Sequence, residues 1–175
     1  EYVAVSDYLV NALEVEIDND CTDILARRQP AAGDLRLVLA VSKTITDLER
    51  MGDEAEKIAR LILHEDDILV TGSYYHGAAA LGKHVASMVR SALDSFARMD
   101  SEAAFKVAFE DRAIDAETGA IMRQLMTYMM EDPRTISPCL DTILAVRALE
   151  RIGDHANNIA ENVIYLVEGK NVRHV

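Results

Sequence analysis

The chain has no tryptophan, three prolines, eight glycines and two cysteines in 175 residues. Aromatic residues make up only 5%. So few helix breakers leave long stretches in which the backbone has no reason to turn, and this argues against an all-β protein with its frequent Gly and Pro turns. Cys21 and Cys139 lie far apart with no CxxC or Cys/His spacing, so they read as free core thiols in a reducing compartment. Basic residues are also scarce, 18 against 30 acidic ones, giving a formal charge of -12. Such a chain repels nucleic acid and anionic lipid, and cations or basic protein surfaces are its natural partners. Apolar runs are too short to span a bilayer, and mean hydropathy is near zero, at +0.01. Neither a GxSxG nucleophile elbow nor a GxxxxGK[ST] loop is present.

Half the residues are apolar, enough for a core without disulfides or structural metals to staple it. They recur with helical period, predicting five helices at about 3–28, 33–64, 77–99, 102–131 and 134–168. Pro30 with Gly33, Gly72 with Gly77, Asp100 with Ser101, and Pro133 with Pro138 supply the breaks and caps. On the last helix Ala145, Leu149, Ile152, Ala156, Ile159, Val163 and Leu166 form a packing seam. Val41, Ile45, Leu48, Ala55, Ile58 and Ile62 form its counterpart on the second. The stretch Met122, Met126, Tyr128, Met129, Met130 reads as core filler.

Two segments are nearly identical, LERMGDEAEKIA at 48–59 and LERIGDHANNIA at 149–160. Asp7 to Asn11 and Asp111 to Asp115 stand upstream of them, each on a helix that precedes a Pro-containing turn. The chain is therefore an internal duplication of an antiparallel helix pair. The helix at 77–99 precedes the second pair and has no counterpart before the first, so a first helix is expected to be missing. The units fall at 1–68, an incomplete repeat, and 74–170, a three-helix repeat. Gly52 and Gly153 occupy matching places inside helices, where glycine costs about 1 kcal/mol, and this predicts close approach by a neighbouring helix or a ligand.

Glu49 with Asp53, Glu150 with Asp154, Asp111 with Asp115, and Asp7 with Asn11 are each spaced by four, so each couple projects from one helix face. Like charges at that spacing cost roughly 0.2–0.5 kcal/mol per pair, and repeating the pattern calls for an offsetting cation. Oxygen ligands suit Mg, Mn or Fe. If the hairpin turns centre near 31 or 32 and near 135, Glu49 and Asp53 face Asn11 to Glu14. Glu150 and Asp154 face Asp115 to Thr118. Asp18 is a less favoured partner. His155 stands where the first repeat has Glu54 and reads as an exposed structural residue.

These residues, with ARRQPAAGDLRLVLAVSK (26–43), FARMD (96–100), RQLMTYMMEDPRTIS (123–137) and the ending VRHV, resemble the PhoU family of phosphate-regulon regulators. The resemblance implies an all-α fold of two tandem three-helix bundles related by internal duplication. It also implies metal ions, Mg, Mn, Fe or Zn, held by pairs of E(D)xxxD motifs. On this sequence the motif falls on Glu49, Asp53, Glu150, Asp154, Asp111 and Asp115, while Asp7 and Asn11 depart from it. The implied role is negative regulation of the phosphate-starvation response and of phosphate uptake, without catalysis. The adaptor would link the phosphate transporter's ATPase subunit to a sensor histidine kinase, as a homodimer in the cytoplasm or at the inner membrane face. Two other readings compete: a metal-free interaction bundle, and a carboxylate-bridged di-metal enzyme, against which the absence of any Glu-x-x-His pair argues.

Overall fold

The computed structural model describes residues 2–63 and 75–169, with side chains described from 8 to 62 and from 75 to 169. Among these residues the chain forms five α-helices and no strand: α1 (Tyr2–Arg28), α2 (Ala32–Leu63), α3 (Tyr75–Arg98), α4 (Ser101–Glu131) and α5 (Ile136–Glu168). A 3-10 turn, Pro133–Thr135, leads into α5. The expected boundaries hold to within about two residues. The expected unit boundary, residues 69 to 73, and the VRHV ending lie outside the described residues.

Each break has a local cause. Between α3 and α4, Met99 is left-handed at φ 54. The amide of Met99 donates to Phe96 O, and that of Asp100 to Ser95 O, at 3.2 and 2.9 Å. This pair of bonds is a Schellman closure of α3. Asp100 then caps α4, accepting from the Ala103 amide at 3.0 Å. Between α4 and α5, Asp132 accepts from the Arg134 amide and guanidinium, and Pro133 opens the 3-10 turn, where its missing N–H costs nothing. Between α1 and α2 the left-handed residues are Gln29 and Ala32, at φ 45 and 41. Gly33, the residue the sequence suggested for that bend, sits inside α2 in open space.

The helices α3, α4 and α5 form a three-helix bundle, with Leu81, Val85 and Met88 of α3, Val107 and Ile114 of α4, and Val146, Ile159, Val163 and Ile164 of α5 buried at its centre. Cys139 is also buried. His84 of α3 lies between Glu110 and Glu117 of α4, with a ring nitrogen 3.0 Å from each. The hydrogen bond that its ring donates to Glu117 leads in raising its pKa. The sulfur-rich stretch divides: Met122 packs against the core, whereas Met126 and Met130 are 54% and 79% exposed and are not core filler. Their face of α4 points away from α3 and α5.

The first repeat is a hairpin. Among the described residues helix α1 meets only α2, and α2 in turn lies against α5. No helix among the described residues stands on α1 and α2 as α3 stands on α4 and α5, and Tyr8, Leu9, Leu13 and Val15 of α1 are exposed.

Helix α2 runs antiparallel to α5 across a polar seam. Arg151 donates to Glu54 at 3.2 Å. Asp47, 7% exposed, lies 2.8 Å from His155 Nδ1 and accepts from Asn158 Nδ2 at 3.2 Å. His155 is therefore half-buried rather than exposed, because its ring turns inward to a carboxylate of the other repeat. Glu54, its equivalent under the duplication, is buried as well. Burial pushes the Glu54 carboxyl up, but hydrogen bonds from Lys57 and Arg151 outweigh that and hold it below its usual range.

Two stability tests follow from these contacts. Asp47→Ala leaves His155 and Asn158 without their acceptor in a buried seam and should cost about 1–3 kcal/mol in denaturant unfolding. Met99→Gly relieves a left-handed side chain and should gain up to about 1 kcal/mol, read as a melting temperature roughly 2–4 °C higher.

Candidate metal site

Asp111 and Asp115 project from α4, and Glu150 and Asp154 from α5. The register is fixed by two contacts. Asn157 Nδ2 donates to Asp111 Oδ2 at 3.3 Å, and Ile114 packs on Gly153. Glu150 and Asp154 thus lie level with about Asp115 and its neighbours, as hairpin counting predicts. The close approach anticipated at Gly153 comes from a neighbouring helix. A Cβ there would meet Ile114 at 3.4 Å, an ordinary contact, so Ile114 does not by itself demand glycine.

The four carboxylates share one electrostatic environment. Burial raises the Asp111 carboxyl to about 6, with Asp115, Asp154 and Glu161 adding to the rise. Burial also raises Asp154, followed by Glu150 and Asp115, against the opposing pull of His155 and Arg151. Glu150 is the one of the four held by a cation, Arg147 at 2.7 Å. Asp111 Oδ1 is buried with no hydrogen-bond partner. A buried, unpartnered carboxylate oxygen among like charges is a site that a cation would relieve. Among the described residues, however, no three His, Cys, Asp or Glu side chains converge on one point that could hold an ion. The arrangement fits a cation by charge and by its unused lone pairs, while a closed cage would require the carboxylates to draw together.

The first repeat presents a weaker version. Ser42 Oγ donates to Asp18 Oδ1 at 3.1 Å across α1 and α2. Counting antiparallel from that contact puts Asn11 level with Glu49 and position 7 level with Asp53. Asp7 lies in α1, and its side chain falls outside the described residues. Glu14, offered with Asn11 as a facing ligand, comes level with Thr46, about a turn away from Glu49. It is half-buried, as are Asn11, Glu49 and Asp53. Asp18, the less favoured partner, is occupied by Ser42. The sequence reading missed Asp47, whose only signal was a carboxylate next to the apolar stripe position Leu48.

A chain of this kind, an all-helical repeat with acidic couples level with each other on α4 and α5, defines a class of helical bundle. The PhoU domain matches residues 1–62 and 79–163, and the chain belongs to the PhoU family. The phosphate-specific transport system accessory protein PhoU homolog of Pseudomonas putida is 53% identical over 169 residues, 97% of this chain and 66% of that protein. The accessory protein PhoU of Escherichia coli (strain K12) is 46% identical over 178 residues, 99% of this chain and 71% of that protein. The chain thus spans about two thirds of the length of these curated relatives. Crystal structures of PhoU from Pseudomonas aeruginosa and of the phosphate transport system regulatory protein PhoU from Streptococcus pneumoniae superpose with TM-scores of 0.91 and 0.88. Their identities are 51% and 28%; they cover 97% and 99% of this chain, and each match takes in 81% of the solved chain. No helix among the described residues is long and apolar enough to cross a membrane.

The raised Asp111 carboxyl gives a pH test. A carboxyl whose folded pKa lies above its unfolded value holds its proton more tightly when folded, so the penalty is absent below about 3.8, grows with pH and is complete above about 6. In metal-free protein the Asp111→Asn variant should therefore gain stability on the parent as pH rises through that window. Melting curves at pH 4 to 7.5 check it, and a constant difference across the range would exclude this origin.

Proposed function

We propose that the chain is a non-catalytic adaptor of a phosphate transport system that restrains the phosphate-starvation response and phosphate uptake, with metal ions tying its helix pairs together. Membership of the PhoU family and the names of its relatives support the phosphate-system role. The single observation that carries the metal part is Asp111, whose buried oxygen has no partner amid Asp115, Asp154 and Glu161. Asp111, Asp115, Glu150 and Asp154 would hold the ion in the second repeat, and Glu49 and Asp53 with Asp7 and Asn11 its weaker counterpart in the first. The ion, Mg, Mn, Fe or Zn, would supply positive charge where α4 meets α5. Neutralising the couples would set the spacing of each hairpin and so the shape of the surface offered to partners. Those partners are the transporter's ATPase subunit and a sensor histidine kinase. The protein would meet them in the cytoplasm at the inner membrane face, as a homodimer.

The lack of three converging ligands among the described residues favours one second reading, an interaction bundle whose acidic faces dock basic protein surfaces without metal. Calorimetric titration with Mn, Mg, Zn and Fe(II) separates the two. On the metal reading Mn or Fe binds, and the paired change Asp111→Asn with Asp154→Asn weakens binding at least tenfold. The same pair derepresses a phosphate-starvation reporter in cells. Absence of binding by every ion, with normal repression by the variant, would leave the metal-free reading standing.

A further inference from the structure

Helix α2 carries Arg36, Lys43 and Arg50 at seven-residue steps, so the three cations share one helix face, and each lines a cavity against α5. Half of the described Lys and Arg side chains pair with a carboxylate; Arg36 and Lys43 are among those that make no ion pair within the described residues. Arg36 and Lys43 line a cavity of about 190 Å³ with Glu161, Asn162 and Tyr165 of α5. It opens through Lys43 and Glu161 into a wider groove of about 550 Å³ that reaches Arg50.

Two residues that line the cavity carry buried donors with nothing to donate to. Arg36 Nε and Asn162 Nδ2 are both buried and lack a hydrogen-bond partner, and Asn162 as a residue is only 4% exposed. A buried N–H without an acceptor bears its full desolvation cost, so two of them on residues that line one cavity leave an unmet demand for an acceptor beside it. A guanidinium, an ammonium and an amide N–H around a small space suit an oxyanion, which offers several acceptor oxygens to charge-assisted donors. Glu161 narrows the choice. An anion bearing only lone pairs would be repelled by its carboxylate, whereas one that keeps an O–H at neutral pH can donate to it. Sulfate is fully deprotonated there, and hydrogen phosphate is not.

We propose that the cavity between α2 and α5 binds a protonated phosphoryl oxyanion, with Arg36, Lys43 and Asn162 donating and Glu161 accepting the anion's proton. Glu161 also acts on Asp111, so the cavity adjoins the acidic cluster, but its ligands are separate and binding does not require a metal. The anion would bridge the two repeats, since Arg36 and Lys43 belong to the first and Asn162 and Glu161 to the second.

The test uses the whole chain freed of metal with a chelator, so that phosphate cannot enter through a bound ion and the outcome is independent of the metal reading. Thermal melts and calorimetry with inorganic phosphate should show saturable stabilisation, with sulfate at least tenfold weaker. Lys43→Gln, at an exposed position that folding does not need, should weaken phosphate at least tenfold, and Arg36→Gln likewise. Glu161→Gln should remove the preference over sulfate. Glycerol phosphate distinguishes the sources: binding comparable to phosphate assigns the site to phosphate monoesters as well, and binding of phosphate alone assigns it to the free ion. No saturable response to phosphate, equal binding of sulfate by the unaltered chain, or full binding by the Lys43→Gln protein would overturn the proposal.

Discussion

The Asp47 carboxylate, buried between α2 and α5, is the contact on which the arrangement of the two repeats depends. Among the described residues helix α1 touches only α2, so the first hairpin meets the three-helix bundle there through the α2–α5 seam. That seam is largely polar at its middle. Asp47 meets His155 and Asn158, and Glu54 meets Arg151. Polar contacts of this kind add little net stability compared with apolar burial, but they tolerate misalignment poorly, because a displaced carboxylate is left buried without donors. The seam therefore specifies a register, while Met51 and Leu48 of α2, which join the apolar cluster of the bundle, supply cohesion. The cohesion of the second repeat lies elsewhere, in the apolar residues of α3, α4 and α5.

The same economy of partners shapes both charged sites. In the acidic cluster, helix geometry holds carboxylates near one another and leaves Asp111 with an unused oxygen. In the cavity beside it, helix geometry holds a guanidinium and an amide with unused hydrogens. The two lie on either side of Glu161, which raises Asp111 on one side and lines the cavity on the other. A fold that carries opposite unmet demands within a few residues of each other cannot satisfy them internally, since the backbone positions are fixed by packing.

Much of this was legible in the sequence. The five helices, the duplication and the facing of α4 by α5 all follow from periodicity, breakers and equal rise, because those are local properties read along one chain. The register of the second hairpin came out well for the same reason. What escaped was anything decided by contact between repeats. Asp47 and His155 read as ordinary helix residues because nothing in their spacing tells that α2 turns that face to α5. Glu14 came out a turn away because the first bend closes through the left-handed Gln29 and Ala32 rather than at Gly33, which shifts the count. Met126 and Met130 carry the hydrophobicity of core residues on a face that nothing among the described residues covers, and periodicity cannot separate those cases.

The junction of α3 with α4 has a mechanical consequence. Asp100 donates the closing bond of one helix from its amide and caps the next by accepting at its carboxylate, so no residue between them is free to absorb a change of angle. An elbow without slack behaves as a rigid bracket. A push on α3 is therefore carried to α4, and along α4 to Asp111, while the α1–α2 hairpin is held in register on α5 by the Asp47 and Glu54 contacts.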